Sequence, residues 1–415
     1  MNDHEMRRLT SSRDNETHSR ALRSAVLGLL AGAGVLAGGI AGAADCTVVA
    51  SGLRSPIGSA FTNQGNMVVS ETGIANVPAS GRVSIVSPHG GRRTLLDGLP
   101  QGTNAAGGDA SGPNSLAMRG RTIYVAIGQG DTVIPGPVVP GQPGSTVPNP
   151  NVSSQLFSSV LAIHLSAAAE RSTAGFKLSA QDQVTLAGGG KVMLSNGKGD
   201  KLQVELVVNF PDYLSEPTQA NPGNVRNSNP FGVLLVDDFM YVTNGGLNRL
   251  YKVNLDTGAY ADLAIFSPIQ NTSGLGGPPF VEAVPTGLAY SNGQVLVSLL
   301  SGGPFIPGLS RVKTVDPVTG AQSDFLTGLR TSIQSLPITA GGDTDYLTLQ
   351  NNFAPAQPFP PTGASVRRFE EPGSSSVVVN GCTLYRPTSM SIEPKTGMLY
   401  ATELLRGTVV KVPLD

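Results

Sequence analysis

Six times along this chain a proline opens a short apolar segment, and a second short apolar run follows roughly nine to thirteen residues later. The openings read Ser55-Pro56-Ile57-Gly58, Gly112-Pro113-Asn114-Ser115, Asn229-Pro230-Phe231-Gly232, Val284-Pro285-Thr286-Gly287, Leu336-Pro337-Ile338-Thr339 and Arg386-Pro387-Thr388-Ser389. The second runs are Met67–Glu71, Ile123–Ala126, Met240–Thr243, Val295–Ser298, Tyr346–Leu349 and Leu399–Glu403. A repeat of this period built from short strands is the mark of a β-propeller, in which each unit buries its faces only against its neighbours. The 52 glycines and 31 prolines, spread between short apolar runs, agree with an all-β repeat and argue against helices. Tryptophan is absent, which disfavours a WD-type propeller.

One blade reads cleanly as four antiparallel strands: Ile57–Phe61, Met67–Ser70, Arg82–Ser87 and Arg93–Asp97. Gly52-Leu53, Gly98-Leu99 and Gly328-Leu329 mark exits from outermost strands. The prolines fall at 56, 113, 230, 285, 337 and 387, so one interval is about twice the others. That interval holds a Pro/Gly-rich loop at 131–151 and an extra hairpin around Val192-Met193-Leu194, with Ser159–Leu165 and Leu202–Val208 as the third and fourth strands of blade two. No proline-led opening lies between them, so the expected count is six blades, with an insertion at about 131–200 in blade two. The chain ends in a third strand, Gly407–Val412, that lacks a fourth. Thr47–Leu53 is a fourth strand that lacks the first three. The expected fold is therefore an all-β, six-bladed β-propeller over 44–415, closed by pairing the N-terminal strand (47–53) with the C-terminal strands (399–412).

Residues 1–43 are different material. Arg7, Arg8, Arg13, Arg20 and Arg23 precede an uncharged run from Ala25 to Ala44, with Ala41-Gly42-Ala43 as a small-residue cleavage site. This reads as a secretory signal peptide, the alternative being a retained N-terminal membrane anchor; cleavage predicts a periplasmic or extracellular protein with no membrane anchor, expected to be a monomer. In such a compartment Cys46 and Cys382 are free to pair, although sequence cannot give their distance. The net charge of −1 and the lack of a basic stripe exclude nucleic acid as a natural partner.

In a propeller, the loops leading into first strands and those joining second to third strands gather on one face, around the channel mouth. The polar residues placed there include Arg54, Asn114, Glu216, Asn229, Asp343, Glu71, Asn244, Asn351 and Glu403. Of these, Glu71, Asn114, Glu216, Asn229, Asn244, Asn351 and Glu403 are the candidate ligand contacts. Oxygen donors of this kind suit Ca²⁺, for which Glu71, Asn229 and Glu403 are the candidate ligands; they also suit ordinary turn chemistry. Glu71 and Glu403 close second strands in neighbouring blades, so they could serve as an acid–base pair, share a cation, or each bind Arg54, Arg386 or Arg406. The run from Asp212 to Pro230, rich in carboxylates and amides, reads as a binding loop or as a plain crossover. Histidine is scarce. His4 and His18 belong to the leader, His89 to a turn on the far face, and His164 to a third strand away from the channel. Histidine-based triads, zinc sites and the histidine base of quinone-dependent sugar dehydrogenases are thus poorly supported. No cofactor is required by this reading.

Several of these segments, in order, resemble a known family. Gly52–Gly58, Val69-Ser70-Glu71-Thr72-Gly73, Gly81–Ser84, Asp97–Pro100, Tyr124–Gly130 and the Glu216…Asn221-Pro222…Ser228-Asn229-Pro230 run are similar to the ScyD/ScyE family of exported propellers. That family is named from the scytonemin pigment cluster of cyanobacteria. The insertion after Gly130 departs from its compact pattern. The resemblance implies an exported six-bladed propeller that binds a ligand or partner, with a role in maturing a secondary metabolite outside the membrane. The alternative is a Ca²⁺-dependent propeller hydrolase, lactonase or lyase.

Overall fold

The computed structural model describes residues 45–103, 108, 110–136, 146–220, 225–340, 342–356, 359–361 and 363–414. The expected leader, 1–43, lies outside them. Six sheets of antiparallel strands follow one another along the chain. Blade one is Pro56–Phe61, Met67–Glu71, Gly81–Val86 and Arg92–Leu99. Blade two is Pro113–Arg119, Thr122–Ile127, Ser159–Leu165 and Lys201–Asn209, with Lys191–Ser195 added outside. Blade three is Pro230–Val236, Phe239–Asn244, Arg249–Asn254 and Tyr260–Ile265. Blade four is Pro285–Ser291, Gln294–Leu299, Ser310–Val315 and Gln322–Leu329. Blade five is Ser332–Ala340, Asp343–Gln350, Ser365–Phe369 and Val377–Val378. Blade six is Pro387–Ile392, Leu399–Glu403 and Thr408–Val412, completed by Thr47–Ala50 from the other end of the chain. The innermost strands touch in sequence from blade one to blade six and back to blade one, so the ring closes.

The proline-led motif has a mechanical cause. In blades one, two, three, four and six the proline pairs with the end of the second strand, and the register then slips by a bulge before regular pairing resumes. Proline tolerates that position because no ladder N–H is needed there. Two residues on, the chain passes very close to the next blade. A Cβ on Gly232 would sit 2.3 Å from Thr286 O, and one on Gly58 would sit 2.7 Å from Ser115 Cα. A hydroxyl from the second strand then ties the two blades. Thr243 Oγ1 accepts from Gly232 N at 2.7 Å and donates to Thr286 O at 2.6 Å, and Ser70 does the same between Gly58 and Asn114 O. Pro-x-small at the opening and Ser/Thr in the partner strand are two halves of one inter-blade joint.

Blade five corrects one assignment. Its inner strand begins at Ser332, which pairs with Gln350 at the bulge, while Pro337 lies mid-strand opposite Tyr346. The Leu336-Pro337 opening is therefore five residues late. Asp343 consequently opens the second strand, paired with Ala340 beside the turn between first and second strands, on the face opposite the mouth and not on the mouth as expected.

The insertion contains helices Ala167–Arg171 and Ala180–Ala187, which the sequence reading does not anticipate. Ser166 caps the first, and a reciprocal Ser179–Asp182 capping box starts the second. Between them Phe176–Lys177 adds a parallel strand to the outer edge of blade one. Phe176, Leu178, Leu186, Val192 and Leu194 join Leu95, Leu96 and Leu99 in one buried cluster. The insertion therefore covers the sheet edges of blades one and two. Cys46 and Cys382 form a disulfide with Cα atoms 5.0 Å apart, linking the strand that completes blade six to the segment leaving blade five. Among the described residues, no helix is long and apolar enough to cross a membrane.

Candidate functional site at the channel mouth

The axis is narrow. Ser59, Ser115, Phe231, Gly287, Gln334 and Thr388, one from each inner strand, surround a cavity of about 50 Å³. That holds a few water molecules at most. A ligand larger than that does not fit inside the channel itself, so any ligand on the axis would rest at its mouth.

The polar groups expected to meet there are largely engaged in holding the loops. Glu71, Asn244, Gln350 and Glu403 occupy the same ladder position, the end of the second strand in blades one, three, five and six. Each reaches back to a backbone N–H of the loop leading into its own blade: Arg54 N to Glu71, Asn229 N to Asn244 (2.9 Å), Arg330 N to Gln350 (3.0 Å) and Tyr385 N to Glu403 (2.8 Å). These side chains are loop clasps, and such N–H groups would otherwise be unmet in a buried setting. Glu71 and Glu403 are fully buried. Glu71 also binds Arg82 Nε and Nη2 at 2.7 Å and Ser84 Oγ at 2.5 Å. Its cationic partner is thus Arg82, directly opposite in the ladder, and not Arg54, Arg386 or Arg406. Glu403 takes the Thr408 hydroxyl at 2.8 Å and has no ion pair among the described residues. The two carboxylates are held within separate blades.

Asn114 and Asn229 do come together: Asn114 Nδ2 donates to Asn229 Oδ1 at 3.0 Å and to Pro230 O at 2.6 Å, joining blades two and three. Asn351 Nδ2 donates to Pro387 O at 3.2 Å and joins blades five and six. Glu216 lies apart, exposed and paired with Arg249 at 2.6 Å. Residues 221–224 of the 212–230 run lie outside the described residues, and its ends pair as Tyr213–Leu214 against Arg226–Asn227. Burial pushes the Asp212 carboxyl above its usual range; the Ser158 hydroxyl opposes this and the Asp131 charge adds to it. Burial likewise lowers the Arg226 guanidinium, against the pull of Glu282. Among the described residues, no three His, Cys, Asp or Glu side chains converge as a metal would require.

The same face carries an aromatic group that a search for polar residues overlooks. Phe305, in the blade-four loop between second and third strands, meets Phe353 and Phe359 from the equivalent blade-five loop. The three centroids lie 5.2 to 5.3 Å apart in edge-to-face geometry. Arg386, leading into blade six, lies over the Phe359 ring at 5.1 Å. Phe353 is buried, whereas Phe359 is 51% exposed. The sequence does carry a signal: all three sit in proline-flanked loops, Pro304-Phe305-Ile306-Pro307, Phe353-Ala354-Pro355 and Pro358-Phe359-Pro360, outside any strand alternation.

His164 bonds Glu205 at 2.8 Å and Thr122 at 3.0 Å on a blade-two sheet, and His89 lies in a turn on the opposite face. Neither reaches the mouth.

No family model matches the chain, and no curated protein does. Solved structures match in fold. A glucose dehydrogenase aligns with a TM-score of 0.50 at 12% identity, covering 89% of this chain and 99% of its own. A protein of Thermus thermophilus, described as a candidate oxidoreductase (glucose dehydrogenase), aligns with a TM-score of 0.46 at 14% identity, over 88% of this chain and 98% of its own. The major allergen Mala s 1 of Malassezia sympodialis aligns with 0.43 at 12%, over 87% and 92%. At these identities the likeness is one of architecture, a six-bladed propeller, and folds of this kind host unrelated activities.

Proposed function

We propose that this protein is an exported binding scaffold that receives an aromatic small molecule, or an aromatic side chain of a partner, on the Phe305–Phe353–Phe359 surface at the channel mouth. The observation that carries the reading is the half-exposed Phe359 ring, backed by two further rings and faced by the Arg386 guanidinium. A planar ring gains area and edge-to-face contact there, and an anionic substituent suits the nearby guanidinium. The clasping role of Glu71, Asn244 and Glu403 leaves these groups holding structure, in keeping with binding without turnover. The likeness to the ScyD/ScyE family supports a place in maturing a secondary metabolite outside the membrane. The 1–43 leader and the Cys46–Cys382 disulfide agree with export.

Because the chain lacks tryptophan, the fluorescence of a naphthoate probe can be followed with little protein background. Naphthoate should bind saturably, and Phe359→Ala should weaken it about tenfold, roughly 1.4 kcal/mol. Equal affinity in wild type and variant would overturn the reading.

A second reading has one observation in its favour: the buried Glu403 carboxylate has no cationic partner among the described residues. A Ca²⁺ ion on Glu71, Asn229 and Glu403 would supply one, but both carboxylates would have to leave their present donors. A chelator should leave the melting temperature unchanged if the aromatic reading alone holds, and lower it if calcium is resident.

A further inference from the structure

We propose that the cavity between blades one and six, on the face away from the channel mouth, binds an unbranched aliphatic carboxylate, with its chain in the seam and its head group at the rim. The cavity measures about 480 Å³, within the range of small-molecule sites. Blade one supplies Phe61, Met67 and Val86, which lie opposite one another in its ladder and so share the sheet face turned to blade six. Blade six supplies Tyr400, with Lys411 directly opposite it, and Val49 comes from the strand that completes the blade. Toward the axis the seam is shut by the Ser59 and Ser391 hydroxyls, 2.9 Å apart, and toward the mouth by the packing of Leu53, Val69 and Val409.

The rim of this cavity carries more positive than negative charge. Lys411, from the third strand of blade six, and Lys395, from the turn between its first and second strands, are exposed, and neither ammonium has a hydrogen bond or ion pair among the described residues. The one carboxylate in the lining, Glu393, is engaged within its own turn, where Oε2 accepts from Thr396 N at 3.1 Å and from the Thr396 hydroxyl. The Tyr400 hydroxyl has no hydrogen bond among the described residues. Burial, helped by the Glu393 charge, pushes this phenol above its usual range, so it keeps its proton and can donate. A carboxylate at the rim gains charge-assisted hydrogen bonds from the ammonium groups and a further one from the phenol. The floor suits a chain better than a flat ring. Phe61 and Tyr400 are already turned edge to face at 61°, which leaves no parallel slot, whereas the thioethers of Met67 and Met398 mould themselves to a flexible alkyl chain. Val49 and Lys411 come from opposite ends of the chain, so the site exists only in the closed ring and is independent of the aromatic surface at the mouth.

The test is isothermal titration of the full mature chain with octanoate, decanoate, 1-octanol and octyltrimethylammonium, all below their micelle concentrations and at constant ionic strength. Octanoate should bind saturably, and decanoate about tenfold more tightly because of its two extra methylenes. Octanol should bind at least tenfold more weakly than octanoate, and octyltrimethylammonium should give no measurable binding. The double variant Lys395→Gln/Lys411→Gln, which alters two exposed side chains without carboxylate partners, should weaken octanoate at least tenfold and leave octanol unchanged. Tyr400→Phe, which keeps the ring, should weaken octanoate about threefold. Phe359→Ala should change nothing. Absence of saturable binding by both carboxylates, or equal octanoate affinity in wild type and the double variant, would overturn the site. Weaker octanoate binding in Phe359→Ala would move the chain to the mouth and overturn it equally. Octyltrimethylammonium binding as tightly as octanoate would make Glu393 the dominant charge and overturn the assignment of an anion; decanoate no tighter than octanoate would overturn that of an aliphatic chain. Circular dichroism of the double variant should match wild type, so that a lost signal reports the cavity and not unfolding.

Discussion

The clasps of blades one and six and the aromatic loops of blades four and five lie on the same face, yet they teach opposite lessons. Glu71 and Glu403 have the residue types of chemistry and the burial of framework. Phe305, Phe353 and Phe359 have the composition of packing, yet they leave one ring half in solvent. Carboxylates and amides gathered at a propeller mouth are first of all what its loops need to satisfy backbone N–H groups. The ligand surface is better sought where apolar side chains stay uncovered without a packing reason.

The most damaging way to probe this contrast is to remove the strand against which the blade-six clasp is built. Deleting 408–415 strips both the third strand of that blade and the partner of Thr47–Ala50. The cooperative melt should disappear, as read by calorimetry. Next, Glu71→Gln should cost about 3–5 kcal/mol in urea unfolding, because it leaves Arg82 buried without a countercharge. Glu403→Gln should cost less, about 1–3 kcal/mol, since it strands no cation and its amide oxygen still accepts from Tyr385 N. Equal losses for the two would mean that Glu403 has an ionic partner after all. Gly232→Ala, which places a methyl against Thr286 O, should cost about 1–3 kcal/mol by overpacking. Last, Phe359→Ala should change stability by no more than about 0.5 kcal/mol while weakening naphthoate binding. A large loss of stability there would assign the rings to packing.

Much of the fold can be read from the chain because the inter-blade joint imposes a local signature. Proline at the bulge, a small residue two positions later and Ser/Thr in the next strand are short-range requirements, so they show in sequence. Blade five misleads for the same reason: Ser332 occupies the bulge position that proline holds in the other blades, and Pro337 draws the eye to a position where the strand merely continues. The Glu71–Arg82 pair is within reach of sequence, since the two residues face each other across one antiparallel ladder. The Phe triad is not, because its members come from two loops and meet only once blades four and five stand side by side. The disulfide depends in the same way on a distance that only the closed ring sets.

The order in which the chain is made bears on that closed ring. Thr47–Ala50 is synthesised before blades one to five, yet its partner Thr408–Val412 follows all of them. That strand must therefore wait, with one edge unmatched, until all the blades between the two have been made. Once the ring has closed, the bond between Cys46 and Cys382 ties the strand that completes blade six to the segment leaving blade five, so the finished wheel is hard to reopen.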